Sequence, residues 1–354
     1  MCNTYEGSPA GPGSRRLGVL VLASLVPLAP GLSLAQSPAD SYPAKPVTII
    51  IPVTPGGSVD TESRLYGQKL SESMGKSFVL DYKPGAGTTL GAAHVAKAAP
   101  DGYTLLAVST GFVIAPSFYK NLPYDPEKDI APISQMTSRP TAMAATMSLP
   151  INTPAEYIAY TRANPGKLNL GTTGVGGSLH LAGLWLDSSS GGKVTYIHYK
   201  GTGSMMSDLI AGRVHVAPLT IPAALPHVRA GKLKIIGLST GWRSPALPDA
   251  PTFAEQGATG YDYSGWLGFA TTGGTHASIV NKLRAELVKA GNAPDIHKKM
   301  IDDGATMVLS TPAEYASVIK ADIARWRMLL QNETINPSLT WVKMSYARSI
   351  AYAA

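Results

Sequence analysis

Short apolar runs alternate with amphipathic segments along this chain, and loops rich in glycine separate many of them. The first apolar run ends at Pro52 and is followed by a Pro-Gly-Gly loop and a helix predicted over 60–74. Strands predicted at 78–81 and 103–108, with a helix over 89–98 between them, complete a β-α-β-α-β series. Such a series predicts parallel strands whose loops meet at one edge of the sheet.

A second series of the same kind follows an extended run predicted at 133–147. Its first helix is predicted over 154–163, because Thr153 and Glu156 have the spacing of a capping box. The remaining elements of this series are strands predicted at 168–171, 194–199, 214–219 and 234–239 and helices predicted at 181–188, 205–211 and 224–230.

The strand-loop-helix unit with a Gly-rich loop therefore occurs in both halves of the chain. An apolar strand at 266–270 predicts that the chain crosses back to its first half before helices at 279–290 and 312–330. We therefore predict two facing α/β lobes, each of which offers helix N-termini to a shared cleft. The two crossings are predicted near 138–146 and 265–270.

The composition of the chain excludes few functional classes. The 354 residues allow roughly two domains, and 44% hydrophobic residues fit a globular protein. The net charge of +7 is dispersed rather than gathered in Lys/Arg blocks, so nucleic-acid binding is weakly supported. A mild positive charge suits an anionic small molecule and fits a merely soluble protein equally well.

Residues 1–35 have the pattern of an export signal. Arg15 and Arg16 precede an apolar run over 17–34, and Ser33-Leu34-Ala35 is a typical cleavage site. The pattern fits both a general secretion signal and a twin-arginine signal. The only cysteine, Cys2, lies within this leader, so the mature chain is predicted to lack disulfides and thiolate metal sites.

Two Gly-rich loops, 53–58 and 172–180, each lead into a predicted helix and are the candidate binding loops. The first backbone N–H groups of a helix have no partner within the helix, and the helix dipole adds positive potential there, so such a loop favours an anion. An ordinary β–α turn is the alternative interpretation of the first loop. We expect a small carboxylate to be bound by Gly56, Gly57, Ser58, Ser109, Thr110, Thr172, Thr173, Ser178, His180 and Thr202.

Several residues near these loops have a competing structural interpretation. His180 is either a ligand contact or a histidine packed beneath its loop. Lys200, in a third Gly-rich loop, either attracts anions or is simply solvated. Asp60 is expected to orient the first loop by capping the following helix, and Ser58 is the other candidate for that cap.

The sequence gives little support to an enzyme. Ser178 and His180 lie two residues apart without a Gly-x-Ser-x-Gly elbow, so a hydrolase triad is poorly supported. Gly85, Gly87 and Gly91 have the wrong spacing for a dinucleotide fingerprint, and the seven histidines form no metal-binding pair. No cofactor or metal is predicted, and a hydrolase or dehydrogenase remains the less favoured class.

Ordered motifs over most of the chain provide a further indication. They are Tyr42-Pro43-x-Lys45-Pro46, Pro55-Gly56-Gly57-x-x-Asp60, Pro84-Gly85-Ala86-Gly87, Pro100-Asp101-Gly102-Tyr103-Thr104-Leu105-Leu106, Leu122-Pro123-Tyr124-Asp125, Pro165-Gly166-Lys167-Leu168-Asn169, Tyr199-Lys200-Gly201, Ala230-Gly231-Lys232-Leu233 and Arg243-Ser244-Pro245-Ala246-Leu247-Pro248. In this order they resemble the tripartite tricarboxylate transporter substrate-binding receptors, also called Bug proteins.

This resemblance implies a periplasmic receptor with a two-lobed, periplasmic-binding-protein-like (type II) α/β fold. It implies that a di- or tricarboxylate or an aromatic acid is bound between loops 53–58 and 172–180 and delivered to a membrane permease. A periplasmic sensor that binds the same kind of ligand for a signalling partner is the alternative. The expected division is a signal peptide over 1–35, one lobe over 42–140 and 268–331, the other over 141–267, and an atypical tail over 332–354.

Three positions depart from the family's usual pattern. Val53 stands where phenylalanine is common, and Thr54 replaces a frequent proline. Leu219 stands where an aspartate is often found, and such an aspartate would suit a ligand amine. We therefore expect a ligand without a required ammonium group and, because Val53 is small, with room for a wider body. Val53, Thr54 and Leu219 join the predicted ligand-binding residues.

Overall fold

The computed structural model describes residues 37–55, 57–119, 121–173, 177–199 and 202–331. Within these residues the strands are β1 (Val47–Ile51), β2 (Phe78–Tyr82), β3 (Thr104–Ser109), β4 (Ile130–Thr146), β5 (Asn169–Thr173), β6 (Thr195–Tyr199), β7 (Val216–Thr220), β8 (Leu233–Leu238), β9 (Ser264–Thr272) and β10 (Thr306–Met307). The helices are α1 (Ser58–Met74), α2 (Thr89–Ala96), α3 (Thr110–Phe118), α4 (Pro154–Ala163), α5 (Ser178–Ser190), α6 (Thr202–Ile210), α7 (Ile221–Arg229), α8 (Ala277–Gly291), α9 (Pro294–Asp302) and α10 (Pro312–Gln331).

The long strand β4 belongs to two groups of strands and so produces two lobes. Its residues up to Pro140 pair antiparallel with β9, which also pairs with β3 of the parallel group β2-β1-β3. From Thr141 onward β4 pairs with β7 and β8 of the second group, in which β5 is parallel to β6 and β7. The predicted two-lobed α/β fold with parallel strands is therefore present.

The chain returns to the first lobe slightly before the predicted crossing at 265–270. Tyr263 still donates its backbone N–H to the Ser239 carbonyl of the second lobe at 2.8 Å. The next residue, Ser264, begins β9 and lies opposite Pro140 in the first group of strands. The two crossings therefore run side by side, at Pro140–Thr141 and Tyr263–Ser264.

Two predicted helix N-caps, those of α4 and α1, can be compared with the structure. Thr153 caps α4 as predicted, accepting from the Glu156 N–H at 3.2 Å, while the Glu156 carboxylate accepts from the Asn152 N–H at 2.6 Å. The prediction that Ser58 or Asp60 caps the first helix is wrong, because α1 begins at Ser58 and its N-cap is Gly57.

Helix α3 was not predicted from the sequence. Its sequence TGFVIAPSF is apolar on every side and contains Pro116, so it lacks the period that identifies an amphipathic helix. The helix is buried instead, and Phe112, Val113 and Ile114 are at most 4% exposed. Helix α9 and the short strand β10 were also not predicted.

Helix α10 packs along α3 and reaches the second lobe. Its Trp326 meets Trp185 of α5 edge to face, with ring centroids 5.9 Å apart, and meets Tyr263 at the crossing in the same way. The apolar core is therefore continuous from one lobe to the other beside the crossing strands. In the part of the chain that is described, no helix is long and apolar enough to cross a membrane.

Candidate functional site

A cavity of about 300 Å³ lies between the two lobes, and four helices begin on its wall. Ser58 and Val59 start α1, Thr110 and Gly111 start α3, Ser178 and Leu179 start α5, and Thr220 immediately precedes α7. The crossing strands complete the wall with Arg139, Pro140, Thr141, Tyr263, Gly265, Trp266 and Leu267. Both lobes and both crossings therefore contribute to one cavity.

None of these four helices has a side-chain cap within the described residues. Their N-cap positions are Gly57, Ser109, Gly177 and Thr220, all with extended backbone. The first N–H groups of α1, α3 and α5 thus lack intrahelical acceptors at the cavity, as does that of Ile221 in α7, where Pro222 follows without an N–H. Each helix dipole presents its positive end there. Four converging positive ends favour an anionic group in this cavity.

The described residues leave room at the N-cap of α1. Apart from its chain neighbours, no described atom lies within 4 Å of a Cβ built on Gly57, and the backbone angle φ of −88° suits any residue. Asp60, in the first turn, accepts from the Tyr82 hydroxyl at 2.5 Å and pairs with Arg64 at 2.9 Å. Asp60 therefore holds the start of α1 against β2.

Hydroxyl groups surround the same helix starts. Ser58, Ser109, Thr110, Thr141, Ser178 and Thr220 all line the cavity. Ser178 forms a side-chain hydrogen bond with Tyr263, whose pKa is raised to about 12 by burial although that hydrogen bond opposes the rise. This bond connects the start of α5 to the returning chain, so the second lobe's helix start is fixed to the crossing.

One charged pair also lies in the wall. Glu62 on α1 accepts from Nε of Arg139 at 2.7 Å and from the hydroxyl of Thr137 at 2.7 Å. The Glu62 side chain is 1% exposed and the Arg139 side chain 13%. Burial raises the pKa of Glu62, while Arg139 and Thr137 act in the opposite direction.

A second cavity of about 210 Å³ adjoins the first and shares four of its residues: Val53, Ser109, Gly111 and Ser178. Its remaining wall is largely apolar, with Ile114, Ala115 and Phe118 of α3. A ligand whose anionic group lies at the helix starts therefore has apolar space beside it.

The structure brings five predicted ligand-binding residues to the first cavity: Val53, Ser58, Ser109, Thr110 and Ser178. Gly57 adjoins it as the cap of α1. Thr54 is exposed and is not in either wall. Gly56, Lys200 and the side chain of Thr173 lie outside what the structure describes.

Thr172 and His180 lie behind the cavity, within the second lobe. The Thr172 hydroxyl lies 2.8 Å from Nδ1 of His198. His180 is 2% exposed and packs edge to face against Tyr196 and His198, with ring centroids 4.9 and 4.7 Å apart. Burial lowers the pKa of His180 to about 4. Of the two interpretations of His180 given above, a ligand contact or a packed histidine, this placement matches the second. Its ring packs against β6 and does not line the cavity.

Leu219 and Thr202 are also placed away from the cavity wall. Leu219 is 1% exposed in the core of the second lobe, and its neighbour Thr220 lines the cavity instead. Successive side chains of a strand point to opposite faces, which is why Thr220 and not Leu219 lies in the cavity wall. Thr202 is exposed at the start of α6.

Sequence reasoning missed Glu62, Arg139, Thr141, Thr220 and the returning segment from Tyr263. Signals for the first two were present. Arg139 is the only charged residue of β4, and Glu62 follows Ser58 by four positions, which places both on one face of α1. Among the described residues, no group of three metal-ligating side chains is close enough to hold a metal ion.

Comparison with known proteins identifies the class to which this fold and cleft belong. Residues 63–335 match the tripartite tricarboxylate transporter family receptor, TctC. The chain belongs to this family of solute-binding receptors, which are periplasmic and not enzymes.

Solved structures agree with this assignment. The chain resembles R. palustris Rpa4515 with adipate, at 32% identity and a TM-score of 0.71 over 82% of this chain and 97% of that one. It resembles the periplasmic binding protein BugD at 32% identity and a TM-score of 0.69, over 82% and 98% of the two chains. It resembles MatC from Rhodopseudomonas palustris with bound malate at 30% identity and a TM-score of 0.69, over 82% and 100%.

Proposed function

We propose that this chain binds a small organic carboxylate in the interlobe cavity and delivers it to a tripartite tricarboxylate-type membrane permease. The observation that carries the proposal is the convergence of four uncapped helix N-termini on one cavity. Adipate and malate, which two similar receptors hold, are small carboxylates. The proposal includes export with removal of a signal peptide near Ala35.

Simple energetics support this ligand class. Each hydrogen bond from a backbone N–H or hydroxyl to a carboxylate contributes about 1.5–3 kcal/mol, and each helix dipole about 0.3–1 kcal/mol. Four or five such contacts, after the ordering and desolvation costs, suffice for about −8 kcal/mol, which corresponds to micromolar binding. The site therefore does not need an unpaired cationic side chain to bind an acid.

The adjoining apolar cavity suits the body of the acid. With Ile114, Ala115 and Phe118 in its wall, it accepts an alkyl chain or a ring, and Val53 at the junction leaves the passage wide. Water between ligand and backbone allows one receptor to accept several acids.

Binding is coupled to movement of the lobes about the two crossings at Pro140–Thr141 and Tyr263–Ser264. The ligand contacts α1 and α3 from one lobe and α5 and α7 from the other, so it favours the closed form by its differential contacts. In this proposal the lobes are 42–140 with 264–331 and 141–263, which moves the boundary predicted at 267–268 to the observed crossing, and the closed form docks on the permease.

A thermal-shift screen across carboxylates, followed by calorimetry, tests the proposal, because bound ligand raises the melting temperature by mass action. The matched variants are Gly57→Asp and Ser73→Asp, which add the same charge to two ends of α1. Position 57 has room for a side chain, so Gly57→Asp should fold normally and lose binding by 100-fold or more, on the order of 3 kcal/mol. Ser73→Asp, exposed near the other end of α1, should bind as the wild type does. Normal affinity in Gly57→Asp, or no response to any organic acid, would refute the proposal.

A further inference from the structure

We infer that a third cavity, between helix α10 and the two crossings, is a binding site for a compact organic ammonium ion that carries a hydrogen-bond donor. The wall of this α10 cavity includes Gln135, Trp185, Asp262, Trp266, Asp322 and Trp326. The inference is independent of the proposed function, because it concerns a different cavity and a ligand of opposite charge.

The α10 cavity is large enough for a small organic molecule. Its volume is about 200 Å³. One buried water needs about 10–15 Å³ of such space, so without a ligand the cavity holds a cluster of water molecules. Asp262 and Ala321 in its wall are exposed, so the cavity opens to solvent.

The side-chain amide of Gln135 has no hydrogen-bond partner among the described residues, although the residue is only 7% exposed. Its backbone is engaged elsewhere: the N–H donates to the Ser310 hydroxyl at 2.9 Å, and the carbonyl accepts from the Ser310 N–H at 3.1 Å. Ser310 does not line the α10 cavity, so the side chain is the part of Gln135 that reaches it.

The pairing of β4 with β9 gives the direction of this amide. Gly268 lies opposite Gln135, and a Cβ atom built on Gly268 would meet the Tyr315 ring of α10. Residues opposite each other on paired strands share one face of the sheet, so the Gln135 side chain also points toward α10. Its amide oxygen is a free acceptor for a hydroxyl or N–H group of a ligand.

The charges around the α10 cavity leave one carboxylate without a cation. Asp322 accepts from the Arg325 guanidinium at 2.8 Å and from the Trp266 indole at 2.9 Å. Asp262 accepts from the Gly241 N–H at 2.9 Å and forms no ion pair among the described residues. Burial and the Asp262 carboxylate raise the pKa of Asp322, so the two carboxylates repel each other. A bound cation would relieve this repulsion.

Tryptophan side chains supply much of the remaining wall. Trp185, Trp266 and Trp326 are each at most 7% exposed. The Arg325 guanidinium already lies over the Trp185 ring, 5.3 Å from its centroid, so this wall accommodates a positive charge. An aromatic ring attracts a cation, and the attraction is larger where water is excluded. Aromatic rings beside an unpaired carboxylate therefore favour an ammonium ion over a neutral molecule or an anion.

Tryptophan fluorescence and calorimetry test the inference on the full chain. The probe is choline, and its control is the uncharged analogue in which a carbon atom replaces the ammonium nitrogen. Choline should change the fluorescence in a saturable way, because three tryptophans line the cavity. It should also bind about tenfold or more tightly than the uncharged analogue.

Two variants locate the cation, since both positions line the α10 cavity and neither lines the interlobe cavity. Asp262→Asn keeps an acceptor for the Gly241 N–H and should lower the affinity for choline about fivefold or more. Gln135→Met keeps the side-chain length without the amide and should lower it about two- to tenfold. Asp249→Asn makes the same charge change at an exposed position outside the cavity and should leave the affinity within about twofold.

Several results would overturn the inference and leave the carboxylate receptor standing. They are no saturable response to choline, equal affinity for choline and its uncharged analogue, and wild-type affinity in Asp262→Asn. An equal loss in Asp249→Asn would attribute the effect to net charge and would also overturn it. Reduced affinity in Gln135→Met with a normal melting temperature would support the inference, and if that variant does not fold, Asp262→Asn decides. Normal choline binding without binding of any carboxylate would refute the proposed function alone.

Discussion

The indole Nε1–H of Trp266 donates to Oδ2 of Asp322 at 2.9 Å, and this bond joins the returning strand β9 to the final helix α10. Trp266 also lines the cavity, so it is in contact with both the binding site and the helix behind it. Asp322 is 8% exposed, and burial raises its pKa.

Trp266→Phe should destabilise the fold by about 1–3 kcal/mol, because Asp322 loses a donor while remaining buried. Urea denaturation measures the change. Asp322→Asn serves as the comparison, since its amide oxygen still accepts from the indole. Equal stability of Trp266→Phe and the wild type would show that the bond contributes nothing.

Low pH should lower the stability of the fold through protonation of His180. Burial lowers its pKa in the folded state to about 4, below the ordinary value of 6.5, so the unfolded chain binds the proton more readily. This contribution to stability is present above pH 6.5 and is lost as the pH falls from 6.5 toward 4, by roughly 3 kcal/mol. Urea midpoints at pH 7 and pH 4.5 measure the loss.

The matched variant for that experiment is His180→Phe, which keeps an aromatic ring against Tyr196 and His198. Its stability should depend less steeply on pH over the same interval, whatever its absolute stability. If stability depended on pH as steeply in His180→Phe as in the wild type, groups other than His180 would cause the loss of stability at low pH.

Asp187 should produce the opposite dependence, a loss of stability as the pH rises toward neutral. Burial raises its pKa to about 7 from 3.8, and its Oδ1 atom has no hydrogen-bond partner among the described residues, although Tyr196 donates to Oδ2 at 2.9 Å. Stability is therefore lost as the pH rises from 3.8 through 7.

Asp187→Asn should accordingly stabilise the protein at pH 8, on the order of 2–4 kcal/mol, and much less at pH 5. Thermal melts at both values measure the difference. Asp249→Asn, at an exposed position, should leave both melting temperatures unchanged. A gain at pH 5 equal to that at pH 8 would contradict the assignment.

The ligand is expected to lack a required ammonium group. Leu219 is buried in the core, and the acidic residue in the cavity wall, Glu62, already accepts from Arg139 and Thr137. Aspartate should therefore bind no more tightly than succinate, because its ammonium would be desolvated without an acceptor. Calorimetry with the two acids decides, and tighter binding of aspartate would disprove this expectation.

Most strands and helices could be predicted from the sequence, because the spacing of apolar residues and the positions of glycines depend directly on local structure. Helix α3 was missed because burial on all sides removes that period. Within the site, Ser58 and Ser178 were found from the Gly-rich loops that precede them. Arg139 was missed because a lone charge in an apolar strand gains meaning only when Glu62, 77 residues away in sequence, is seen beside it.

At two of the cavity's helix starts, strand and helix are directly joined. Strand β3 ends at Ser109 and α3 begins at Thr110, while β7 ends at Thr220 and α7 begins at Ile221. An acid bound at such a junction contacts backbone that continues directly into the sheet, with no loop between the strand and the helix. Capture would therefore be transmitted as rotation of whole rigid bodies, and a spin-label pair placed on the two sheets would record a single discrete step in distance upon ligand addition.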